Sequence, residues 1–180
     1  MHKDAHIHPD SSQSGFTLVE LMVTLSIALI LTFIAIPSFS VLLIRNEIAS
    51  NAQTIRTGLA LARYEAIKRN SPVQICSLSS SATQCAGIIG VGRLAWDDGL
   101  IVFQDVDSDR IYTAGVDDLI SHARFSESLD INWGRGHYLI YTATGRLMIG
   151  NSSFRINHPS YAIERRLILN IVGRVRSIDI

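Results

Sequence analysis

Hydrophobic residues fall into three regimes along this chain of 180 residues. From Phe16 to Ile36 they are almost continuous, 21 residues with Glu20 as the only charge. As a helix rising about 1.5 Å per residue, that run covers ~30 Å, the thickness of a bilayer's hydrocarbon core. Beyond Pro37 the pattern turns periodic. Ile48, Ala52, Ile55, Leu59, Ala62 and Ala66 recur at spacings of three and four, with Arg56, Arg63, Lys68 and Arg69 mostly off that stripe. This is an amphipathic helix with one face to bury. Asn70-Ser71-Pro72 ends it, because the residue before a proline is driven out of the α region. The pattern predicts one long helix from about Phe16 to Asn70, bent near Pro37, whose second half lays the Ile48–Ala66 stripe onto a sheet.

After Pro72 the runs shorten. Pro72–Cys76, Leu100–Gln104, Asp117–His122, Leu129–Trp133, Tyr138–Thr142, Arg146–Ile149 and Arg165–Ile171 are rich in Val, Ile, Leu and Tyr, with Gly, Asn, Asp and Ser between them. They read as strands. Ser77–Gly92 is rich in Ser and Gly and reads as loop. The fold class is α+β, an N-terminal helix packed on an antiparallel β-sheet head.

Charge changes this picture only when divided by region. Basic and acidic residues balance, 16 against 16. Residues 93–118 hold seven Asp against Arg93 and Arg110, while residues 124–180 hold eight Arg against four acids. A basic C-terminal third suggests a polyanionic partner that the neutral whole conceals. For catalysis there is little: no G-x-S-x-G, no phosphate loop, no H-E-x-x-H. His2, His6 and His8 lie near the N-terminus, and His122, His137 and His158 lack metal-ligand spacing. No enzyme, cofactor or metal is expected. Asp105-Val106-Asp107-Ser108-Asp109 has the spacing that opens a calcium loop, but Arg110 stands at the glycine position and Val116 where the closing Glu belongs; a turn between strands is expected. Trp133-Gly134-Arg135-Gly136-His137 is read as a core tryptophan beside a turn rather than a stacking platform.

The junction before the apolar run carries the functional signal. A secretory signal places its small-residue cleavage site after the apolar core; here Gly15 precedes it. Gly15-Phe16-Thr17-Leu18-Val19-Glu20 resembles the type IV prepilin signal. That resemblance implies cleavage by a prepilin peptidase between Gly15 and Phe16, methylation of Phe16, and a helix-kinking role for Pro37. Residues 1–15 would be the leader, 16–37 the transmembrane and filament-core segment, 38–70 the amphipathic half of the helix, and 71–180 the head. The leader carries only Lys3 against Asp4 and Asp10, so the positive-inside signal is weak and orientation rests on the resemblance. An acid in a membrane helix is costly and seeks a partner. Glu20 would pair with the Phe16 amine of a neighbouring subunit, or else snorkel to the headgroups.

Further along, Leu61-Ala62-Arg63-Tyr64-Glu65-Ala66-Ile67-Lys68-Arg69-Asn70, Trp96-Asp97-Asp98-Gly99-Leu100-Ile101-Val102-Phe103-Gln104-Asp105 and Tyr141-Thr142-Ala143-Thr144-Gly145-Arg146 resemble segments of the FimT/GspH group of minor pilins and pseudopilins. The resemblance implies an inner-membrane protein with a periplasmic head, later assembled with other pilin subunits into a surface pilus. In that outward-facing, oxidising setting Cys76 and Cys85 would close a short disulfide loop; two free buried thiols are the alternative. Within the group two roles diverge. GspH-type subunits are structural parts of a type II secretion pseudopilus. FimT-type subunits belong to type IV pili, and some bind DNA for natural transformation through a C-terminal G-R-x-R. Gly173-Arg174-Val175-Arg176 matches. In an extended segment Arg174 and Arg176 project from one face about 6.8 Å apart, and guanidinium forks suit phosphate oxygens of duplex DNA without reading sequence. Arg146, Arg155, Arg165 and Arg166 would assist. Alternatively, Arg174 and Arg176 solubilise a terminal strand or pair with Asp117, Asp118 or Asp179.

Mass spectrometry of the chain expressed with a working pilus system is expected to show a mature protein beginning at N-methylated Phe16. An intact leader there would overturn the processing assignment.

Overall fold

The structure is a computed structural model that describes residues 15–81, 84–87 and 94–180, with only the backbone of residues 34–38 described. The predicted leader, residue 15 apart, lies outside the described residues. The chain divides into two compact units, Met1–Val41 and Leu42–Ile180.

In the first unit, α1 (Leu18–Arg69) begins. Its start is a local capping event: the Glu20 amide donates to Thr17 Oγ1 at 3.2 Å, and Thr17-Leu18-Val19-Glu20 is the S/T-x-x-E pattern of a capping box. Large apolar side chains from Phe16 to Phe33 are exposed in the single chain. The hydroxyls among them do not compete for external partners. Those of Thr24, Ser26 and Thr32 donate to the carbonyls of Leu21, Met22 and Ala28 at 2.9, 2.8 and 2.7 Å, the local satisfaction that lets Ser and Thr sit in an apolar helix. Among the described residues no helix is long and apolar enough to cross a membrane; the predicted span includes residues 34–38, whose side chains lie outside the description.

In the second unit, the predicted stripe of α1 is buried throughout, from Ile48 through Ile55 and Leu59 to Ala66, none more than 3% exposed. The helix ends as an αL cap. Asn70 takes φ 49°, Ser71 N–H reaches the Ala66 carbonyl and Asn70 N–H that of Ile67, so an Asn does the work usually left to Gly.

Among the described residues nine strands follow, in two antiparallel sheets. The first has the order β4-β3-β1-β6 and the second β2-β5-β7-β8-β9. They comprise β1 (Val73–Ser77), β2 (Leu94–Ala95), β3 (Gly99–Gln104), β4 (Asp118–Arg124), β5 (Asp130–Trp133), β6 (Tyr138–Tyr141), β7 (Ser152–His158), β8 (Tyr161–Leu169) and β9 (Val175–Asp179). One cluster joins the helix stripe to both sheets, including Leu100 and Tyr141 from the first and Trp133, Phe154 and Leu167 from the second. A smaller cluster of Cys76, Leu78, Ile101 and Phe103 covers the other face of β1 and β3. That double burial explains why β1 and β3 read as unbroken apolar runs.

Three expectations change. Arg146–Ile149 is not a strand: only Leu147 enters the core, through a single bridge to Tyr141, while Met148 and Ile149 stay exposed. β8 begins at Tyr161, earlier than predicted, and β2, β7 and β9 were not anticipated. The expected disulfide between Cys76 and Cys85 is present. Every buried core residue described lies between Ile44 and Leu169, so Leu42–Ile180 carries its own core and is testable as a separate head.

The Cys76–Cys85 loop is short, and a cross-link of this size stabilises by about 2–3 kcal/mol in the chain-entropy account. The Cys76→Ala/Cys85→Ala head is expected to lose that much in denaturant titration while keeping its far-ultraviolet spectrum.

Candidate nucleic-acid interface

The G-R-x-R segment spans the end of the turn that joins β8 to β9 and the first two residues of β9. Asn170 organises it from both ends. Its backbone N–H donates to the Arg174 carbonyl at 3.1 Å, its side-chain oxygen accepts the Arg174 N–H at 2.9 Å, and its carbonyl accepts the Gly173 N–H at 2.8 Å. Gly173 is buried with φ 78°. A Cβ there would lie 2.7 Å from the Gly145 carbonyl oxygen and 2.9 Å from the Tyr141 ring. Gly145, also at positive φ (72°), is pressed against Ile67 and Arg63. Only glycine satisfies both the backbone conformation and the contact. The two Gly-Arg dipeptides, Gly145-Arg146 and Gly173-Arg174, therefore meet through their glycines, and both following arginines are exposed.

Arg63 of α1 secures this junction from the helix side, donating from Nη1 to the Gly173 carbonyl at 3.3 Å. Tyr141 lies beneath; burial pushes its hydroxyl up to about 12, with Arg63 pulling the other way, so it remains a neutral phenol.

The predicted arginines separate into two sets. Arg165 is held by Asp179 at 2.5 and 3.1 Å, and that contact keeps the Asp179 carboxyl below its ordinary range. Arg166 pairs with Glu164 two residues away. Arg155 lies directly opposite Arg166 in the β7–β8 register and is half-buried, its Nε without a partner. Carboxylates hold Arg165 and Arg166, and Arg155 is limited only by its half-buried place in the sheet. Among the described residues no carboxylate forms an ion pair with the exposed Arg146, Arg174 or Arg176. The acids suggested as their partners are engaged elsewhere. Asp118 pairs with Arg69, Asp179 with Arg165, and Asp117 accepts the backbone N–H groups of Val106 and Thr113 at 2.9 and 2.7 Å.

One expectation is corrected. Arg174 and Arg176 do not share a strand: β9 starts at Val175, so Arg174 belongs to the turn and only Arg176 to the edge strand, opposite Ile168. The cause is Asn170, which captures the Arg174 amide. Sequence reasoning also missed the helix side. Arg56, Arg63, Tyr64 and Arg174 line a groove of about 750 Å³ beside the turn. The signal was present, since Arg56 and Arg63 are seven residues apart and off the core stripe, which puts them on one face.

Other candidates resolve locally. Trp133 is 1% exposed and is a core residue. The carboxylates of Asp105, Asp107 and Asp109 approach within 4.8 Å of one another, and each accepts a backbone N–H inside the loop, from Arg110, Asp109 and Ile111 respectively. Gly15 and Phe16 are exposed just before α1, and Glu20 sits in its first turn.

Gly173→Ala is expected to lower the melting temperature of the head by several degrees, because a left-handed non-glycine residue costs about 1–3 kcal/mol before any clash with Gly145. Arg174→Ala at the adjacent exposed position is expected to leave the melting temperature nearly unchanged; circular dichroism melts compare the two.

The family described as Type II transport protein GspH matches residues 51–173, and the prokaryotic N-terminal methylation motif matches residues 10–36. No curated protein matches the chain. Among solved structures, the type IV minor pilin FimU of Pseudomonas aeruginosa is similar in two crystal forms. One has a TM-score of 0.55 at 20% identity, covering 72% of this chain and 91% of FimU. The other gives 0.56 at 21%, covering 73% and 88%. The minor pseudopilin EpsH of the Vibrio cholerae type 2 secretion system aligns with a TM-score of 0.49 at 15% identity, covering 73% of this chain and 96% of EpsH. The FimU likeness shows the type IV pilin-like fold, and with its match over residues 51–173, more than half its length, the chain belongs to the family described as Type II transport protein GspH.

Proposed function

We propose that this chain is a minor type IV pilin whose head binds duplex DNA through its phosphates, without sequence preference, for uptake in natural transformation. In this reading a prepilin peptidase removes residues 1–15, the apolar segment anchors the chain in the inner membrane with the head in the periplasm, and Glu20 then helps it dock among other pilin subunits in a surface filament. The observation that carries the DNA assignment is the uncompensated charge of Arg146, Arg174 and Arg176 around the Gly145–Gly173 contact. The family match ends at Gly173, so the two tetrad arginines are argued from their own surroundings. Exposed guanidiniums retain their donors for phosphate oxygens, while Arg165 and Arg166 must first leave Asp179 and Glu164. Three phosphate contacts imply a slope of about −2.7 for log affinity against log salt on duplex DNA. That is modest, and display of several heads on one filament would raise the effective affinity.

A purely structural role is the second reading. It is favoured by the apolar residues beside the arginines: Ile171, Val172, Met148 and Ile149 are all exposed in the single chain, as a subunit-contacting surface would be.

In a gel shift with the Leu42–Ile180 head, Arg174→Gln/Arg176→Gln is expected to weaken duplex binding and to flatten the salt slope by about 1.8. Wild-type affinity in the double variant would remove those residues from the interface, and a wild-type head that binds no DNA would leave the structural reading.

A further inference from the structure

We propose that the groove between α1 and the β8–β9 turn holds a single-stranded stretch of DNA, with phosphates on Arg56, Arg63 and Arg174 and a base stacked on Tyr64. This rests on the reading of the head as DNA-binding and narrows it to a second mode of contact.

The groove's charge has one sign. Arg56 and Arg63 are seven residues apart on α1, hence nearly in line and about 10.5 Å apart along the axis. Arg174 faces them from the turn. Among the described residues no carboxylate ion-pairs with any of the three. Glu65, the nearest acid in the helix sequence, is occupied by Lys68 at 3.0 Å and Arg69 at 2.7 Å; those contacts, Arg69 first, hold its carboxyl below the ordinary range. Arg63 spends one long hydrogen bond on Gly173 and keeps four N–H donors.

The groove also holds an aromatic face. Tyr64 is 59% exposed although it sits on a helix whose other face is packed, and the Lys68 ammonium stands 5.6 Å from its ring centroid. An exposed tyrosine among cations is the composition of a single-strand platform, in which arginines track the backbone and rings take bases. Duplex DNA keeps its bases inside the stack and offers Tyr64 no base face. It would rest on Arg174 together with Arg146 and Arg176, which lie outside the groove's lining. Arg174 is thus shared between the two modes, while Arg56, Arg63 and Tyr64 serve a strand that has come apart from its complement.

The test is fluorescence anisotropy of the Leu42–Ile180 head with oligothymidylate and with a duplex of equal length, across a salt series. The wild-type head is expected to bind the single strand more tightly. Tyr64→Ala is expected to weaken single-strand binding about tenfold and leave duplex binding nearly unchanged, with Tyr64→Phe restoring it. Arg56→Gln is expected to reduce the single-strand salt slope by about 0.7. Both positions are exposed, and a melt confirms that each variant is folded. Duplex binding combined with a single-strand affinity indifferent to Tyr64→Ala, or no tighter than the duplex, overturns the groove assignment alone; a head that binds neither form overturns both readings.

Discussion

Everything in the head is placed by the close approach of α1 to its sheets. The buried stripe alternates large and small: Ile48, Ile55 and Leu59 fill the space, while Ala52, Gly58, Ala62 and Ala66 let strands come near. At Gly58 the Leu100 side chain already lies 3.2 Å from where a Cβ would stand. With this separation set, Tyr141 is buried under the helix and Arg63 reaches across to the Gly173 carbonyl. The position of the arginine-bearing turn is thus fixed by the packing of Tyr141 and α1 against its glycines. This is a rigid way to present flexible cations, because the turn is braced by glycine contacts and backbone hydrogen bonds rather than by the charges themselves.

The neutral total charge is also divided by the fold. Acids and bases cancel at the C-terminal end of α1, where Glu65, Lys68, Arg69 and Asp118 form one network, and at the base of the β8–β9 hairpin, where Arg165 meets Asp179. At the hairpin's other end Arg174 and Arg176, with Arg146 beside them, have no carboxylate ion pair among the described residues. A local field of one sign is what attracts a polyanion, whatever the sum over the chain.

Much of this was legible because the chain follows simple periods. The helix stripe from Ile48 to Ala66 is a clean 3.6-residue repeat, and its end at Asn70 was marked by Pro72. β1 and β3 were legible as continuous apolar runs. β7 was missed although Ser153-Phe154-Arg155-Ile156 alternates cleanly, a period-2 signal overlooked between polar neighbours. β9 was missed for a better reason: as a half-exposed edge strand it needs little apolar content, and Val175-Arg176-Ser177-Ile178-Asp179 shows little. Arg146–Ile149 misled because three consecutive apolar residues resemble a strand, while only Leu147 finds room in the core. At the interface, residue types were readable but pairings were not. Nothing in local sequence says that Arg165 will find Asp179 across a hairpin, or that Gly145 will touch Gly173. Those depend on register, which the turn sets.

Among the described residues β9 stands at the outer margin of its sheet, bonded on one side only. Such a margin is an open template on which a second chain can lay a strand, and charge along it is a common defence. Arg176 is the cation on that margin. Under the proposed DNA-binding role its guanidinium would do two jobs that pull against each other: whatever neutralised it, whether a substitution or a bound phosphate, would also lower the barrier to strand-by-strand self-association of the heads.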